Sequence, residues 1–547
     1  MIRTFRGRHA AALGALFCAA LASGSSGCAG GDDAAASAGG AAGSGGDATA
    51  GGGGGGSGGT GGVGGAGGGG GVDPGDGGAD DAESPRNGGY EGVDLSTVPV
   101  GTAPTGCVGG LDTGTKKLSL HLDATVGALL LQAPSGGITA NGVACTAGDG
   151  SPATAATTES IEVTGGDEDD LVVVDLSQGS FGAAILSSAG AIRGDLGGGN
   201  NAFALLGTAG GDVVRAGQSG ASVAFDVTND GAADLFVAGA TTLTVSLGPG
   251  ADTFHATGAS GTGDALSASV VVYGGDDDDL LEGGAGDDVL HGGQGRDTFV
   301  TASARDGADT YDGGEDGDLI DYSARVEALA VSLDDVANDG ASGEGDSVQS
   351  TVESVLGGSG DDVLIGSAGA NVLVGGKGND TLSGGDGDDT FDESEPGDGA
   401  DVLNGGGGAD KVTYEGRTAN LSITLCASAA LVGCTVGECA CAANDGEAAE
   451  HDTLVNVEHV AGGAGADTMV GDASDNNLYG NGGDDSLSGG DGNDYLYGDE
   501  GSDKLFGGNG DDYLDGAAGT DTFDGGGGTG DICIVAASES RVACELY

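Results

Sequence analysis

The sequence lacks the side chains that fill a large hydrophobic core. Its 547 residues include no Trp and only 4% aromatic residues, whereas 124 residues are Gly. Gly has no apolar side chain and loses the most backbone entropy on folding. The length allows several domains, but a large conventional core is excluded.

Basic residues are scarce as well. Only 16 Lys and Arg oppose 86 Asp and Glu, which gives a formal net charge of -70. Such a chain repels nucleic acid and anionic membrane surfaces, so we predict no nucleic-acid partner. The charge favours cations as partners.

Catalytic motifs are also missing. None of the His residues is followed by Glu, which excludes the His-Glu-x-x-His motif of zinc proteases. The only Gly-x-Ser-x-Gly sequence, Gly55 to Gly59, lies in a tract of almost pure Gly and does not indicate a catalytic serine. We therefore predict a protein that is not an enzyme.

Residues 1–27 have the features of an export signal. Three Arg precede an apolar run, residues 10–22, that is too short to span a bilayer. Residues 25–28, Ser-Ser-Gly-Cys, resemble a bacterial lipobox, although Leu is usual where Ser25 stands. We predict a lipoprotein signal peptide with Cys28 as lipid anchor and only membrane contact. Cleavage after Ala22 and simple secretion is the alternative.

The cysteine count agrees with lipidation. Without Cys18 in the leader and Cys28 as the anchor, an even set remains, which suits disulfides in an oxidising compartment. The disulfide candidates are Cys107, Cys145, Cys426, Cys434, Cys439, Cys441, Cys533 and Cys544. We predict that Cys107 pairs with Cys145 and Cys533 with Cys544. For the four Cys of 426–441 two disulfides are favoured over a zinc site.

Composition divides the rest of the chain. Residues 28–105 are rich in Gly and Ala without apolar periodicity, and predict a disordered tether. Residues 106–273 contain short β-type runs at intervals often near ten residues, typical of a degenerate β-solenoid or of another β-rich domain such as a sandwich. Within them, Asp226 to Leu235 is similar to the Asp/Asn-rich calcium loops of integrin-type repeats, although a single copy is more often an acidic turn.

From Gly274 onward the chain repeats every nine residues as Gly-Gly-x-Gly-x-Asp-x-U-x, where U is a large apolar residue. Full matches begin at Gly283, Gly292, Gly357, Gly375, Gly384, Gly405, Gly462, Gly489 and Gly507. The repeats form three modules, 274–356, 357–461 with the Cys-rich insertion, and 462–547 with a disulfide-closed end. A larger duplication relates residues 304–325 to 396–417, each ending in Tyr-x-x-Arg.

These nonapeptides resemble the RTX, or hemolysin-type, calcium-binding repeats of bacterial proteins. The resemblance implies an all-β fold, a right-handed parallel β-roll that binds Ca²⁺, in which six residues turn and three form a strand. Two nonapeptides then close one coil, so turns on the same side are eighteen residues apart. Glycines permit left-handed backbone angles, position eight points into the core, and Asp at position six supplies a hard oxygen ligand.

The predicted Ca²⁺ ligands are the position-six aspartates. They are Asp279, Asp288, Asp297, Asp318, Asp362, Asp380, Asp389, Asp410, Asp467, Asp485, Asp494, Asp503, Asp512 and Asp521. Asn371 and Asn476 take this position in two repeats, which puts those sites in doubt. Unit charges ~4.8 Å apart repel by ~3 kcal/mol at an effective dielectric of 20, so the stacked carboxylates predict a fold that requires metal.

The functional prediction is an exported, calcium-binding surface protein with a structural or adhesive role. Its location would be extracellular, as an outer-membrane lipoprotein with Ala29 after the anchor, and its candidate ligand a cell-surface or matrix polysaccharide. The alternative is a carbohydrate-active enzyme, a polysaccharide lyase or epimerase, with its site in 106–273. The epimerase signature Asp-Pro-His-Glu is absent, and the region's candidate basic residues are few. They are His121, His255, Lys116, Lys117, Arg193 and Arg215.

Overall fold

A computed structural model describes residues 92–546 apart from 94, 124–125, 180, 182, 187–191, 260, 427–444, 449 and 535–539. The chain divides into two units, Met1–Ala82 and Glu83–Tyr547, and the described residues belong to the second. The predicted signal peptide, Cys28 and most of the tether therefore lie outside the described residues. The end of the predicted tether is packed on the roll instead, because Val93, Leu95 and Val98 are at most 5% exposed and form a core cluster with Val173. Cys434, Cys439 and Cys441 lie outside them as well.

Helices are few and short. The described residues contain one α-helix, Ala183–Leu186, and two 3-10 helices, Leu95–Thr97 and Pro134–Gly136. None of these is long and apolar enough to cross a membrane.

One long sheet, called the continuous sheet here, runs along the whole roll. Its 21 strands are Leu111–Asp112, Lys117–His121, Ser160–Thr164, Ile192–Asp195, Val213–Ser219, Ser222–Asp226, Leu235–Ala238, Thr253–His255, Leu280–Glu282, Thr298–Val300, Leu319–Asp321, Ser354–Leu356, Val372–Val374, Thr390–Asp392, Lys411–Thr413, His459–Ala461, Asn477–Tyr479, Tyr495–Tyr497, Tyr513–Asp515, Ile532–Ile534 and Glu545–Leu546.

The alternate strands of the coils form three sheets in succession, called the segmented sheets. The first has ten strands, Ala128–Gln132, Thr139–Ala140, Val143–Ala144, Leu171–Asp175, Asn201–Leu206, Ala240–Pro249, Val270–Asp276, Val289–Gln294, Thr310–Glu315 and Ser347–Val348. The second has Leu329–Ser332, Gly340–Ala341, Val363–Ile365, Thr381–Asp386, Val402–Gly407 and Thr453–Val455. The third has Ser422–Thr424, Thr468–Val470, Ser486–Asp491, Lys504–Asn509, Thr522–Gly526 and Ser540–Val542. A two-stranded sheet pairs Glu500–Gly501 with Ala518–Gly519.

The repeat length sets the register of the roll. Leu496 pairs with Leu514 in the continuous sheet, and Leu487 pairs with Leu505 in the third segmented sheet, both in parallel and eighteen residues apart. The apolar residues at position eight, including Leu496, Leu514 and Phe523, are at most 3% exposed and form the core between the sheets. The predicted all-β parallel roll with two nonapeptides per coil is therefore confirmed.

Residues 106–273 belong to the same roll. Lys117–His121 pairs in parallel with Ser160–Thr164, which pairs in parallel with Ile192–Asp195. An antiparallel hairpin, Ser222–Asp226 with Leu235–Ala238, interrupts this stacking. Of the two architectures predicted for the region, the stacked parallel strands match the degenerate solenoid.

Disulfides lie near both ends of the core. Cys107 is bonded to Cys145, and Cys533 to Cys544, as the sequence predicts. Cys426 is disulfide-bonded as well. Cys434, Cys439 and Cys441, the other Cys of the insertion, lie outside the described residues, so their pairing stays a prediction.

Candidate metal centre

The residues at position six of the turns, mostly aspartates, form two rows, one along each side of the roll. Row one precedes the strands of the continuous sheet and contains Asp212, Asp252, Asp279, Asp297, Asp318, Glu353, Asn371, Asp389, Asp410, Glu458, Asn476, Asp494, Asp512 and Asp531. Row two precedes the segmented sheets in three stretches, which are Asp288, Asp309 and Asp346; Asp362, Asp380, Asp401 and Asp452; and Asp467, Asp485, Asp503 and Asp521. Same-side aspartates thus stack as the eighteen-residue rule predicts.

A hydrogen-bond ladder fixes one oxygen of each carboxylate. The backbone N–H of Asp485 donates to Oδ1 of Asp503 at 2.8 Å, and that of Asp503 donates to Oδ1 of Asp521 at 2.9 Å. Oδ1 therefore joins neighbouring coils, and only Oδ2 remains to bind a ligand.

Eleven of the fourteen predicted aspartates have a buried Oδ2 with no hydrogen-bond partner among the described residues. They are Asp279, Asp297, Asp318, Asp380, Asp389, Asp410, Asp485, Asp494, Asp503, Asp512 and Asp521. Buried polar atoms are almost always satisfied, so a repeated unpaired oxygen indicates a missing partner.

The first glycine of each of these turns lets the carboxylate approach the backbone closely. A Cβ added to Gly489 would overlap Oδ2 of Asp494 and lie 2.6 Å from the carbonyl oxygen of Gly507, in the next coil. A Cβ on Gly274 would overlap Oδ2 of Asp279 in the same way. A carboxylate and a carbonyl oxygen thus converge where glycine has no side chain, and such oxygens are the ligands that Ca²⁺ prefers.

Turns with a buried, unpaired Oδ2 are called open and the others closed, and the open turns of the fourteen predicted aspartates share one backbone feature at position two. In all eleven open turns the position-two residue has a positive φ. These residues are Gly275, Gly293, Gly314, Gly376, Gly385, Gly406, Asn481, Gly490, Asp499, Gly508 and Ala517.

Asp288, Asp362 and Asp467 lie in closed turns at the start of the three stretches of row two. Their Oδ2 atoms accept the N–H of the position-two glycine, at 2.6 Å from Gly284, 2.9 Å from Gly358 and 3.0 Å from Gly463. Both oxygens of these three predicted ligands are therefore already hydrogen-bonded.

The two asparagine turns are closed as well. Oδ1 of Asn371 accepts the N–H of Ser367 at 2.7 Å, and its Nδ2 donates to the carbonyl of Glu353 at 3.2 Å. Asn476 makes the equivalent bonds to Asp472 and Glu458. The amide N–H₂ thus supplies a donor where an open turn leaves an oxygen unpaired, which agrees with the doubt raised by the sequence.

Burial disfavours the charge on the open-turn carboxylates. In the absence of metal it raises the pKa of Asp279 to about 8, and of Asp297 and Asp494 to about 7, with neighbouring carboxylates adding to the effect. At neutral pH these turns need either a proton or a cation.

The nine-residue spacing does not predict several residues that belong to the rows. Glu353 and Glu458 each accept the backbone N–H of an aspartate in row one, Asp318 and Asp410. Both belong to a Val-Glu-x-Val sequence that closes each duplicated segment, and this recurrence is the signal that could have identified them. Asp252 extends row one beyond the nonapeptides, and its Oδ2 is also buried and unpaired within the described chain.

Two buried arginines lie near the interruptions of row two. Arg325 contacts Asp306 at 2.6 Å and Glu344 at 2.9 Å. Arg417, at the equivalent position of the duplication, contacts Asp398 at 2.7 Å and Glu450 at 2.5 Å. The arginines of the duplicated Tyr-x-x-Arg sequences thus form two buried Arg–carboxylate clusters.

The tyrosines of the same sequences complete the clusters. Tyr322 donates to Oδ2 of Asp346, and Tyr414 donates to Oδ2 of Asp452. These row-two oxygens therefore have a hydroxyl donor, in contrast to those of the open turns.

The basic residues considered for an enzymatic site each contact a partner of their own. His121 contacts Thr164, and His255 contacts Glu282. Lys116 and Lys117 pair with Glu159 and Glu162, Arg193 lies over Phe236, and Arg215 donates to Asn229. Arg215 is in register with His255, and Glu162 with Arg193, so these residues lie on neighbouring strands.

Comparison with known proteins identifies the repeats. A family model described as the RTX calcium-binding nonapeptide repeat (4 copies) matches residues 271–299, 356–391, 397–416, 461–496 and 497–532. No curated protein matches the chain. The matched segments contain all eleven open turns except that of Asp318, and place them in a family whose repeats bind calcium. Residues 271–532 of this chain thus carry RTX calcium-binding nonapeptide repeats.

Proposed function

We propose that the open turns bind Ca²⁺ and that the bound ions are needed for the roll to fold at neutral pH. The observation that carries this proposal is the series of eleven buried, unpaired Oδ2 atoms, seven of which lie with a backbone carbonyl oxygen beside the first glycine of the turn. Ca²⁺ takes six to eight oxygen ligands, so each ion would join neighbouring turns of one row. The closed turns would hold no ion.

Titration of the full-length mature chain tests this proposal. In chelator at pH 7.5 we expect little β-structure by circular dichroism, and a cooperative gain as Ca²⁺ reaches about 10⁻⁴ to 10⁻³ M, the range of extracellular modules. Asp503→Ala should raise the Ca²⁺ midpoint more than Asp521→Ala, because Asp503 lies between two aspartates and Asp521 ends its row. A spectrum indifferent to Ca²⁺ would refute the metal requirement, and equal midpoints in the two variants would refute the row assignment.

We infer further that the protein is exported and carried on the cell surface by a lipid on Cys28, with residues 29–91 as tether. The lipobox-like sequence and the disulfides support this inference. Labelled palmitate should enter the wild type and be absent from Cys28→Ser. Equal labelling of both, or a mature N-terminus at Ser23, would contradict the anchor.

The proposed role is structural or adhesive rather than enzymatic, and a patch of tyrosines, of which Tyr495 is exposed and three are half-buried, supports adhesion. Tyr479 and Tyr497 stack with ring centroids 5.0 Å apart, and Tyr513 lies 5.8 Å from both Tyr495 and Tyr497. Flat aromatic faces with hydroxyl groups suit a neutral polysaccharide, whereas the charge of the chain disfavours an acidic one. Retention on an insoluble neutral polysaccharide in Ca²⁺ should fall in Tyr495→Ser/Tyr497→Ser. Equal retention of the variant, or none of the wild type, would reject this surface.

A further inference from the structure

Two aspartates face each other at the open end of the hairpin Ser222–Asp226 and Leu235–Ala238. Phe225 pairs with Leu235 at the last register position of the two strands, and Asp226 and Asp234 follow at the open end. The N–H of Asp234 donates to the carbonyl of Phe225 at 2.7 Å, which joins the strand ends. Like charges at such neighbouring positions repel.

Both carboxylates are buried, and each has one oxygen engaged. Asp226 and Asp234 are each 1% exposed. Oδ2 of Asp226 accepts the N–H of Gly231 at 3.0 Å. Oδ2 of Asp234 accepts two backbone N–H groups and the hydroxyl of Thr228, each at 3.0 Å. These bonds fold residues 227–233 around the carboxylates.

The other oxygen of each carboxylate has no partner. Oδ1 of Asp226 and Oδ1 of Asp234 are buried and make no hydrogen bond within the described part of the chain. Across the hairpin, a Cβ on Gly261 would overlap the carbonyl oxygen of Gly231, so a neighbouring segment covers the loop. Two unpaired anionic oxygens are thus enclosed on one face of the hairpin.

No basic side chain neutralises this pair. Arg215 is paired in register with Asp226, but its guanidinium donates to Asn229. The ion pairs among the described residues include neither aspartate. Two buried carboxylates without a cationic partner among the described residues are costly to keep in the folded state.

We propose that Asp226 and Asp234 bind a Ca²⁺ ion through their Oδ1 atoms, at a site separate from the nonapeptide rows. The site offers oxygen ligands only, which excludes metals that require nitrogen or sulfur. Ca²⁺ fits better than Mg²⁺, because Mg²⁺ keeps several waters and the carboxylates are enclosed. The site lies outside the segments that the RTX family model matches.

Hydrogen exchange measured by mass spectrometry on the full-length chain at pH 7.5 tests the site locally. In the wild type, amides of residues 222–238 should exchange about tenfold more slowly when Ca²⁺ is about ten times its dissociation constant, because binding stabilises the closed hairpin by RT ln(1+[L]/Kd). In Asp226→Asn/Asp234→Asn, once Ca²⁺ has folded the nonapeptide rows, these amides should be protected without further dependence on Ca²⁺, since the repulsion is gone. Loss of protection at every Ca²⁺ concentration that folds the rows would instead show that the hairpin depends on the charges for another reason, and would overturn the site.

Asp230→Asn is the matched control. Asp230 lies in the same loop but is exposed, and its carboxylate accepts only the N–H of Ala232 at 2.9 Å. This variant should keep the full response of residues 222–238 to Ca²⁺. Residues 486–509, within the nonapeptide rows, should respond in all three proteins, which separates failure of this site from failure of the RTX sites.

Diffraction from a Ca²⁺-loaded crystal gives a second readout. An anomalous peak between Oδ1 of Asp226 and Oδ1 of Asp234 is expected. A short contact between these two oxygens without a peak would show a shared proton in place of the metal, and would overturn the proposal.

Discussion

At the scale of single residues, the backbone angle at position two distinguishes the eleven open turns from the closed turns of Asp288, Asp362, Asp467, Asn371 and Asn476. A Gly-Gly pair begins the open turn at Gly292 and the closed turn at Gly357 alike, but only Gly293 has a positive φ, of 121°. In the last module the non-glycine residues Asn481, Asp499 and Ala517 adopt positive φ as well. Such conformations cost roughly 1–3 kcal/mol each, so their presence in open turns indicates a compensating interaction.

Filling the space beside one open turn tests this interpretation. A Cβ on Gly489 would overlap Oδ2 of Asp494, so Gly489→Ala should raise the Ca²⁺ midpoint and lower the thermal midpoint in saturating Ca²⁺. Gly482→Ala is the control, because its Cβ would come no closer than 3.6 Å to any atom and its φ is not positive. Calorimetry of both variants measures the effect. Equal behaviour of the two would show that the space beside Gly489 is not a metal site.

The sequence predicts which residues occupy the rows better than it predicts which turns are open. The nine-residue spacing places Asp485, Asp503 and Asp521 on one side, because the strand period and the coil length are both fixed by the repeat. The closed state of Asp362 could not be foreseen, because Gly357 to Asp362 matches the motif in full. The turn of Asp362 is the first in a new stretch of row two, and only the three-dimensional order of the coils shows that this stretch begins there.

At the scale of elements, the two Arg–carboxylate clusters hold coils together by a side-chain cation. Arg325 is 2% exposed and Arg417 is 1% exposed, and each bridges carboxylates from two different segments of the chain. The duplication of the Tyr-x-x-Arg sequence could be seen in the sequence. The burial of its arginine could not, because a charged residue in a Gly-rich loop is usually solvated.

Removing one of these cations should destabilise the protein even when Ca²⁺ is saturating. In Arg417→Met the carboxylates of Asp398 and Glu450 would remain buried without a partner, at a cost of about 3–5 kcal/mol in the free energy of unfolding. Arg305→Met is the control, since the Arg305–Glu327 pair is exposed and exposed pairs contribute about 0–1 kcal/mol. Denaturant unfolding in Ca²⁺ measures both changes. A loss for Arg417→Met no larger than that for Arg305→Met would contradict a structural role of the cluster.

At the scale of the whole molecule, protons and Ca²⁺ compete for the same carboxylates. In the metal-free fold the pKa of Asp279 and Asp318 is about 8, and that of Asp485 and Asp494 about 7, against about 3.9 in an unfolded chain. The folded state therefore binds more protons than the unfolded state between these limits. Its metal-free stability is complete below the unfolded pKa and is lost as pH rises through about 7 to 8.

Thermal melts followed by circular dichroism should show this opposition. In chelator, a melting transition should be present at pH 5 and should be lost, or shifted to much lower temperature, at pH 8. The increase in melting temperature caused by a fixed Ca²⁺ concentration should be larger at pH 8, because protonated ligands bind Ca²⁺ weakly. A metal-free protein that melts at the same temperature at both pH values would show that the rows do not carry the raised pKa values.

The eighteen-residue register also governs how the molecule can grow or shrink. Because coils repeat the same parallel pairing, such as Leu487 with Leu505, the roll can change length in steps of one coil, ~4.8 Å. Excision of residues 480–497 would bring Asp503 above Asp467 and Asp512 above Asn476, so both rows stay continuous and folding in Ca²⁺ should survive. Excision of residues 489–497 alone would transfer every later repeat to the opposite side and misplace the Cys533–Cys544 closure. Insertions in evolution would then be tolerated as pairs of nonapeptides. A single extra nonapeptide would place every later repeat on the wrong side of the roll.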